Sequence, residues 1–330
     1  TVTLNGGTYQ GAGGVVYSIG GTPQESSTAE TALKDKVTVT GGKYPTGSAE
    51  LITALLDPDN NQKVDETTGE IVPDDDSVAK IGSKGYDTLA DALGAAQSGN
   101  TITLLQDVES AAGLTIPAGV TLDGANRSIT YTGDNQTSGA FITVSQDGDD
   151  VTIQNVTISA GTTGNEWNYA VQFYCVDGGK MTGVTVNGGE YAAVIINGAQ
   201  NILLTDCTLN PYSGAYANIE YAMGSNVTEI PSLTVDNVGG NSSKPMVRAD
   251  DTTFERVKNA MSGSPSDSDV VKKITGSVIN QNSGSITVTV EGTGTGNVSE
   301  TIPGTSQNQG GGSGSSGGTQ YSVTVEDAAH

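Results

Sequence analysis

Apolar residues along this chain alternate with Thr, Ser and Asn in short runs, each ended by Gly, Asn or Asp. Alternation at period two marks strands with one buried face, and the turn residues mark where each strand stops. The runs also repeat. Val2-Thr-Leu-Asn-Gly-Gly-Thr-Tyr9, Val37-Thr-Val-Thr-Gly-Gly-Lys-Tyr44 and Val184-Thr-Val-Asn-Gly-Gly-Glu-Tyr191 share one motif, a β-branched strand running into a Gly-Gly corner where the backbone can take positive φ. Asn155-Val-Thr-Ile158, Gly183-Val-Thr-Val186 and Asp206-Cys-Thr-Leu209 form a second column, a turn residue followed by apolar-Thr-apolar. A third column is Phe141, Val171, Val194, Ile219 and Met246, with gaps of 30, 23, 25 and 27 residues. That spacing is too short for a crossover helix in every unit, and the segments between lack a helical period. Three short strands and three turns per coil of about 20–30 residues describe a parallel β-helix, an all-β solenoid. Alternation then turns Phe141, Val171, Val194 and Ile219 inward and Ile142, Gln172, Ile195 and Glu220 outward. An antiparallel β-sandwich would instead want hairpin dipeptides between its strands.

Helical period appears only in short stretches. Residues 86–97 place Leu89, Ala92, Leu93 and Ala96 on one face, with Asp87 or Thr88 as N-cap and Gly99 closing the helix. It precedes the strand Thr101-Ile-Thr-Leu-Leu105 and fits a cap on the open edge of a solenoid. Ala49–Leu56, Thr253–Met261 and Ser268–Lys273 are further short helical segments suited to the same task. The expected organisation is residues 1–56 as terminal coils and cap helix of a preceding β-helix, and 57–78 as an acidic linker. Residues 79–302 follow as the main β-helix with its cap near 86–97, then 303–320 as a Gly/Ser tether and 321–330 as the start of a following β-domain. The chain reads as a module of something longer, monomeric within it.

Composition narrows the chemistry. The 46 glycines among 330 residues are about twice ordinary usage but lack a G-X-Y period, which excludes collagen. Thirty-seven acids against 14 bases leave a net charge of −23, which repels phosphate and so excludes nucleic acid and anionic membrane as partners. No apolar run is long enough to insert in a membrane. The one histidine is His330. An internal imidazole is therefore missing, and with it the Ser-His-Asp triad, His-ligated zinc and histidine acid–base catalysis. Cys175 and Cys207 are too few for a disulfide framework, and Cys207 stands where neighbouring repeats carry Val, as a small buried hydrophobe would.

Tyr86-Asp-Thr-Leu-Ala-Asp-Ala-Leu, Gly99-Asn-Thr-Ile-Thr-Leu-Leu and Ile116-Pro-Ala-Gly-Val-Thr-Leu-Asp-Gly together resemble the opening of pectin-lyase-like right-handed β-helices. They are similar, more closely, to modules of large surface proteins of Gram-positive gut bacteria, where segments like Gly69-Glu-Ile-Val-Pro and Val78-Ala-Lys-Ile-Gly82 join one module to the next. The tail from Tyr321 resembles the first strand of a small β-domain that follows there. The resemblance spans roughly residues 70–240 and the tail. It implies a right-handed fold and an extracellular, cell-surface location; it implies little about activity.

Enzymes of that superfamily need carboxylates joined by Lys or Arg and often calcium, by His, or by Arg alone. Only Arg127, Arg248 and Arg256 occur, and Lys180 alone lies in the central coils. Asp177, Asp206, Glu220, Asp250 and Asp251 could supply a carboxylate pair, although Asp206 and Asp236 sit at turns, where Asp caps its own backbone. Arg248 with Glu220 one coil below is the best lyase-like or esterase-like pair, against the plainer reading of a surface ion pair. No catalytic residue is assigned.

Aromatic residues give a stronger signal. They are 5% of the chain, yet Trp167, Tyr169, Phe173, Tyr174, Tyr191, Tyr212, Tyr216 and Tyr221 crowd together, interleaved with Glu166, Glu190 and Glu220. Sugars stack C–H faces on aromatic rings and bond hydroxyls to carboxylates. The expected glycan contacts are Glu166, Trp167, Tyr169, Tyr174, Glu190, Tyr191, Tyr216, Glu220 and Tyr221. The loop 161–168 lengthens its coil, as insertions on a solenoid's binding face do. Asp57, Asp59, Asn61 and Asp65 begin like a calcium loop but lack its Gly at position 6 (Gln62) and its final Glu (Thr68), so no cofactor is assigned. The expectation is a non-catalytic extracellular module, an adhesin or stalk, meeting a host or dietary glycan or a surface protein. A lyase or esterase acting on an acidic polysaccharide is the alternative, and a plain spacer a third reading.

Overall fold

A computed structural model describes residues 2–8, 37–57, 60–74, 76–134, 137–144, 149–162, 165–294, 296–305 and 323–325. Among the described residues the protein is mostly β, 48% strand and 15% helix, with long parallel sheets. It divides into two compact units, Thr1–Ala92 and Leu93–His330.

In the first unit Val2–Thr8 pairs in parallel with Val37–Lys43, Leu4 opposite Val39, so two copies of the Gly-Gly motif lie side by side. Helix α1 (Ala49–Leu55) and the hairpin Gln62–Val64/Ile71–Pro73 close a small core of Val39, Tyr44, Ile52, Leu55 and Val64. Within the expected acidic linker 57–78, the hairpin at 62–73 is thus part of this unit, with Val64 turned into its core. Helix α2 (Leu89–Ala95) is capped by Thr88, whose Oγ accepts from the Asp91 amide at 3.0 Å and donates to the Asp91 carboxylate.

The second unit holds three parallel ladders that the chain visits in turn. The first runs through Thr101–Leu104, the start of Thr121–Tyr131, the start of Thr152–Ser159, Lys180–Thr182, Ile202–Thr205, Leu233–Asp236 and Val278–Asn280. The second runs through Val108–Ser110, the later halves of those two long strands, Thr185–Asn187, Thr208–Asn210 and Gly239–Gly240. The third joins Leu114–Ile116, Thr137–Val144, Asn165–Tyr174, Ala192–Asn197, Ile219–Ala222, Val247–Ala249 and Ile286–Thr293. Stacking along each ladder, at about 4.8 Å a step, puts like on like. Ile102, Leu122, Ile153, Met181, Leu204 and Val235 form one buried file, and Ile142, Val171, Val194, Ile219, Val247 and Val288 another. Each such side chain, fully buried, contributes about 1.5–3 kcal/mol.

The registers correct the third sequence column at both ends. Val171 pairs with Ile142, not Phe141, and Ile219 with Val247, not Met246. A register shift between Thr137 and Ala140 offsets the strand, and Phe141 is buried as well, beside Tyr131 and Trp167. Thr143, Gln172, Ile195, Glu220 and Arg248 therefore share the opposite face. The second column holds: Asn155, Gly183 and Asp206 adopt left-handed φ of 51–63° between ladders, and Asn237 joins them at 53°, a conformation that Asn, Asp and Gly tolerate best. Asp236 ends its strand, and Asn237 takes the turn.

Helices α3 (Asp251–Ala260) and α4 (Asp267–Gly276) lie between the last ladder strands in sequence, capped by the Asp250 carboxylate and by a Ser266/Asp269 capping box. Ile286–Thr293 folds back antiparallel onto Gly296–Ile302. Val323–Val325 adds antiparallel to Gly296–Ile302, so the strand expected to open another domain extends this sheet. Tether residues 306–320 lie outside the described residues.

Candidate ligand-binding cleft

The Gly-Gly corner after Thr185–Asn187 leads into the edge of a cleft. Gly188 and Gly189 take φ of 96° and 97°, and a Cβ on Gly189 would stand 2.0 Å from the Ala192 carbonyl oxygen. No other residue fits there. The corner delivers Glu190 and Tyr191 to the surface. One wall is a hairpin in which Gly161–Thr162 pairs antiparallel with Asn165–Glu166. The opposite wall is a turn closed by the Ala215 amide on the Tyr212 carbonyl at 2.9 Å. The Tyr212 hydroxyl donates to the Gly161 carbonyl and ties the walls together, its ring passing over Gly188 with no room to spare for a Cβ. The result is a cavity of about 280 Å³ lined by Glu166, Glu190, Tyr191, Tyr212, Ser213, Gly214 and Tyr216.

Three tyrosines climb one step at a time along this edge. Tyr169 meets Tyr191 edge-on at 5.9 Å, and Tyr191 meets Tyr216 at 5.5 Å, both within the range of favourable ring pairs. Backbone bonds hold the rise: the Tyr191 amide donates to the Asn168 carbonyl and the Tyr216 amide to the Tyr191 carbonyl, each at 2.9 Å. Tyr216 is 53% exposed. Arg248 lies 4.7 Å over its ring.

Four of that arginine's five N–H groups are engaged. Its Nη1 donates to both Glu220 oxygens at 2.9 and 3.2 Å, and Nε and Nη2 donate to Glu291 at 2.8 and 2.6 Å. Glu220 is only 4% exposed. The surface ion pair expected from sequence is therefore a largely buried network, because Glu220 stacks between Ile195 and Arg248 on neighbouring strands. Burial pushes the Glu220 carboxyl up to about 8; Arg248 pulls against this, and Asp250 and Glu291 reinforce it. Burial, with the Glu166 charge, pushes the Tyr212 phenol up to about 12. Tyr169 is raised by burial and by nearby Glu220 and Asp250.

Of the nine residues proposed from sequence, Glu166, Glu190, Tyr191 and Tyr216 line the cleft, with Tyr169 stacked beside it and Glu220 linked through Arg248. Three lie elsewhere. Tyr221 is fully buried, its hydroxyl donating to the Pro231 carbonyl at 2.7 Å with Ser277 Oγ 3.2 Å away, so it offers nothing to a ligand. Trp167 follows Glu166 in a strand and points to the other side, lying against Gly113, Tyr131 and Phe141. Tyr174 ends the same strand, in register with Asn197. Tyr212, Ser213 and Gly214 were absent from the proposed set. The 25-residue step from Tyr191 to Tyr216 equals that from Val194 to Ile219, and this equality is the signal that groups the tyrosines.

Three other candidate carboxylates have structural partners. Asp250 caps α3, Asp206 accepts from Asn237, and Asp177 accepts from Asn201. In the acidic stretch, Asp59 lies outside the described residues. Asp65 accepts from the Thr67 hydroxyl and the Thr67 and Thr68 amides, which hold it down to about 2. Asn61 bonds Asp74 and Ser77, and Asp57 donates its amide to Val39. No group of three or more His, Cys, Asp and Glu suited to a metal occurs among the described residues. Cys207 is buried, its thiol raised to about 11 by burial and pointed at backbone carbonyls.

No family model matches the chain, and no curated protein does. Among solved structures, one from Parabacteroides merdae ATCC 43184, described as a "putative glycosyl hydrolase", is similar over 48% of this chain and 84% of its own, at 15% identity and a TM-score of 0.19. A likeness that slight carries no argument about fold or chemistry.

Proposed function

We propose that residues 93–302 form a right-handed parallel β-helix of the pectin-lyase-like kind, and that this chain is an extracellular module of a bacterial surface protein that binds a glycan without transforming it. Three ladders visited in turn support the β-helix, and the strong right-handed preference of parallel connections supports its hand. The parallel pair in the first unit supports reading it as coils of a preceding module.

The observation that carries the binding reading is the tyrosine stair beside a carboxylate-lined cleft. Stacked rings at successive steps suit successive pyranose faces. Against catalysis stands the occupation of the candidate groups: Arg248 is shared between Glu220 and Glu291, and Asp250 holds a helix end. Glycan-array binding by the intact chain tests the proposal. A Tyr216→Ala variant should weaken binding about tenfold, the loss of roughly 1.4 kcal/mol of contact. Binding that survives Tyr191→Ala and Tyr216→Ala together would overturn it.

A further inference from the structure

Glu166 is 8% exposed, lines the cleft, and its Oε2 receives no hydrogen bond among the described residues. A buried carboxylate oxygen without a donor is costly, and more so when charged. Glu190 adds a second carboxylate to the lining, and no Lys or Arg is among its described residues. Arg248, beside Tyr216, directs its hydrogen bonds to Glu220 and Glu291 and none to Glu166 Oε2. The cleft therefore sets the Glu166 carboxylate, one oxygen of it without a donor, beside the rings of Tyr191, Tyr212 and Tyr216.

That combination selects among sugars. A uronate would meet its own sign of charge. A neutral sugar offers hydroxyl donors but no charge. An ammonium offers three donors, a full positive charge, and attraction to the face of a tyrosine ring. We infer that the cleft's ligand is an amine-bearing glycan, a sugar with an unacetylated amino group set against Glu166 and the tyrosines. This inference rests on the glycan-binding reading and specifies it. Binding should weaken as salt rises, since screening acts on the charge and not on the stacking.

Calorimetry at low salt with four matched oligosaccharides provides the test: β-1,4-glucosamine, the same oligomer N-acetylated, β-1,4-glucose and α-1,4-galacturonate. The amine form should bind at least tenfold tighter than the acetylated and neutral forms, with galacturonate weakest. In Glu166→Gln that advantage should shrink to about twofold, while Tyr216→Ala should weaken all forms together. Acetylation changes only the ligand, so this arm stands even if Glu166→Gln misfolds, and Glu190→Gln serves as the second variant. Equal binding of amine, acetylated and neutral oligomers overturns the inference and leaves the glycan reading standing. Preference for galacturonate also overturns it. Binding of none overturns both. If Nα-acetyl-lysine amide binds as tightly as the glucosamine oligomer, the sugar half of the inference fails.

Discussion

The same eight-residue pattern occurs in both units and ends on a tyrosine with opposite fates. Val37-Thr-Val-Thr-Gly-Gly-Lys-Tyr44 delivers Tyr44 into a core, 2% exposed, with its hydroxyl donating to the Gly41 carbonyl at 3.1 Å. Val184-Thr-Val-Asn-Gly-Gly-Glu-Tyr191 delivers Tyr191 to a cleft. The Gly-Gly corner is common to both, so the difference lies in what comes next in the chain. After Tyr44, α1 and the 62–73 hairpin cover the ring, and the backbone closes so tightly that a Cβ on Gly69 would stand 1.8 Å from the Tyr44 carbonyl oxygen. After Tyr191, the turn at Tyr212–Ala215 stands off and leaves a gap beside it. The preceding residue follows suit: Lys43 pairs with Glu70 at 3.2 Å, both well exposed, whereas Glu190 lines the cavity. A repeat motif fixes a corner; the packing that follows decides whether the corner is structure or site.

Truncating the two tyrosines separates the roles most sharply. Tyr44→Ala should cost about 3–5 kcal/mol of stability in the first unit, as large aromatic deletions do. Tyr191→Ala should cost about 1 kcal/mol or less, as a partly exposed ring does. Denaturant unfolding of both variants checks this, and equal losses would erase the distinction.

The next largest effect concerns Glu220. Its carboxyl is raised in the folded state, so the fold binds the proton more tightly than the unfolded chain does, and stability contributed by this group is present at low pH and lost as pH climbs from about 4.5 to about 8. Glu220→Gln should flatten that part of the curve and match the wild type near pH 4. A variant less stable than wild type at pH 8 would mean that the ion pair with Arg248 outweighs burial.

Smaller effects follow. Tyr221→Phe leaves the Pro231 carbonyl without its donor, at about 1–3 kcal/mol. It should leave ligand binding unchanged, which calorimetry on the variant would check. Smallest is the left-handed turn at Asn237, φ 53°. Asn237→Ala should destabilise by about 1 kcal/mol and Asn237→Gly by less, read from thermal unfolding.

Much of the fold was legible because strands that stack on themselves repeat their chemistry. The Asn155, Gly183 and Asp206 column announced its left-handed turns, and Val171, Val194 and Ile219 announced a buried file. The errors came where the repeat breaks: the shifted register at Thr137–Ala140 moved Phe141 out of its column. The site was half legible. Clustering of aromatics pointed to the stretch that lines the cleft, but composition cannot tell an inward tyrosine from an outward one. Tyr221 lies two residues after the inward Ile219, and strand alternation alone would have buried it. Tyr212 reaches the cleft through a turn whose path depends on Gly188, a contact between residues far apart in the chain.

An NMR titration of the intact chain with a glucosamine oligomer bears most directly on the claim that one copy of the motif is a site and the other is core. Amide shifts are expected at 166, 188–191 and 212–216, with none at 37–44. Shifts centred on 37–44, or absent from the cleft while the oligomer binds elsewhere, would contradict the account.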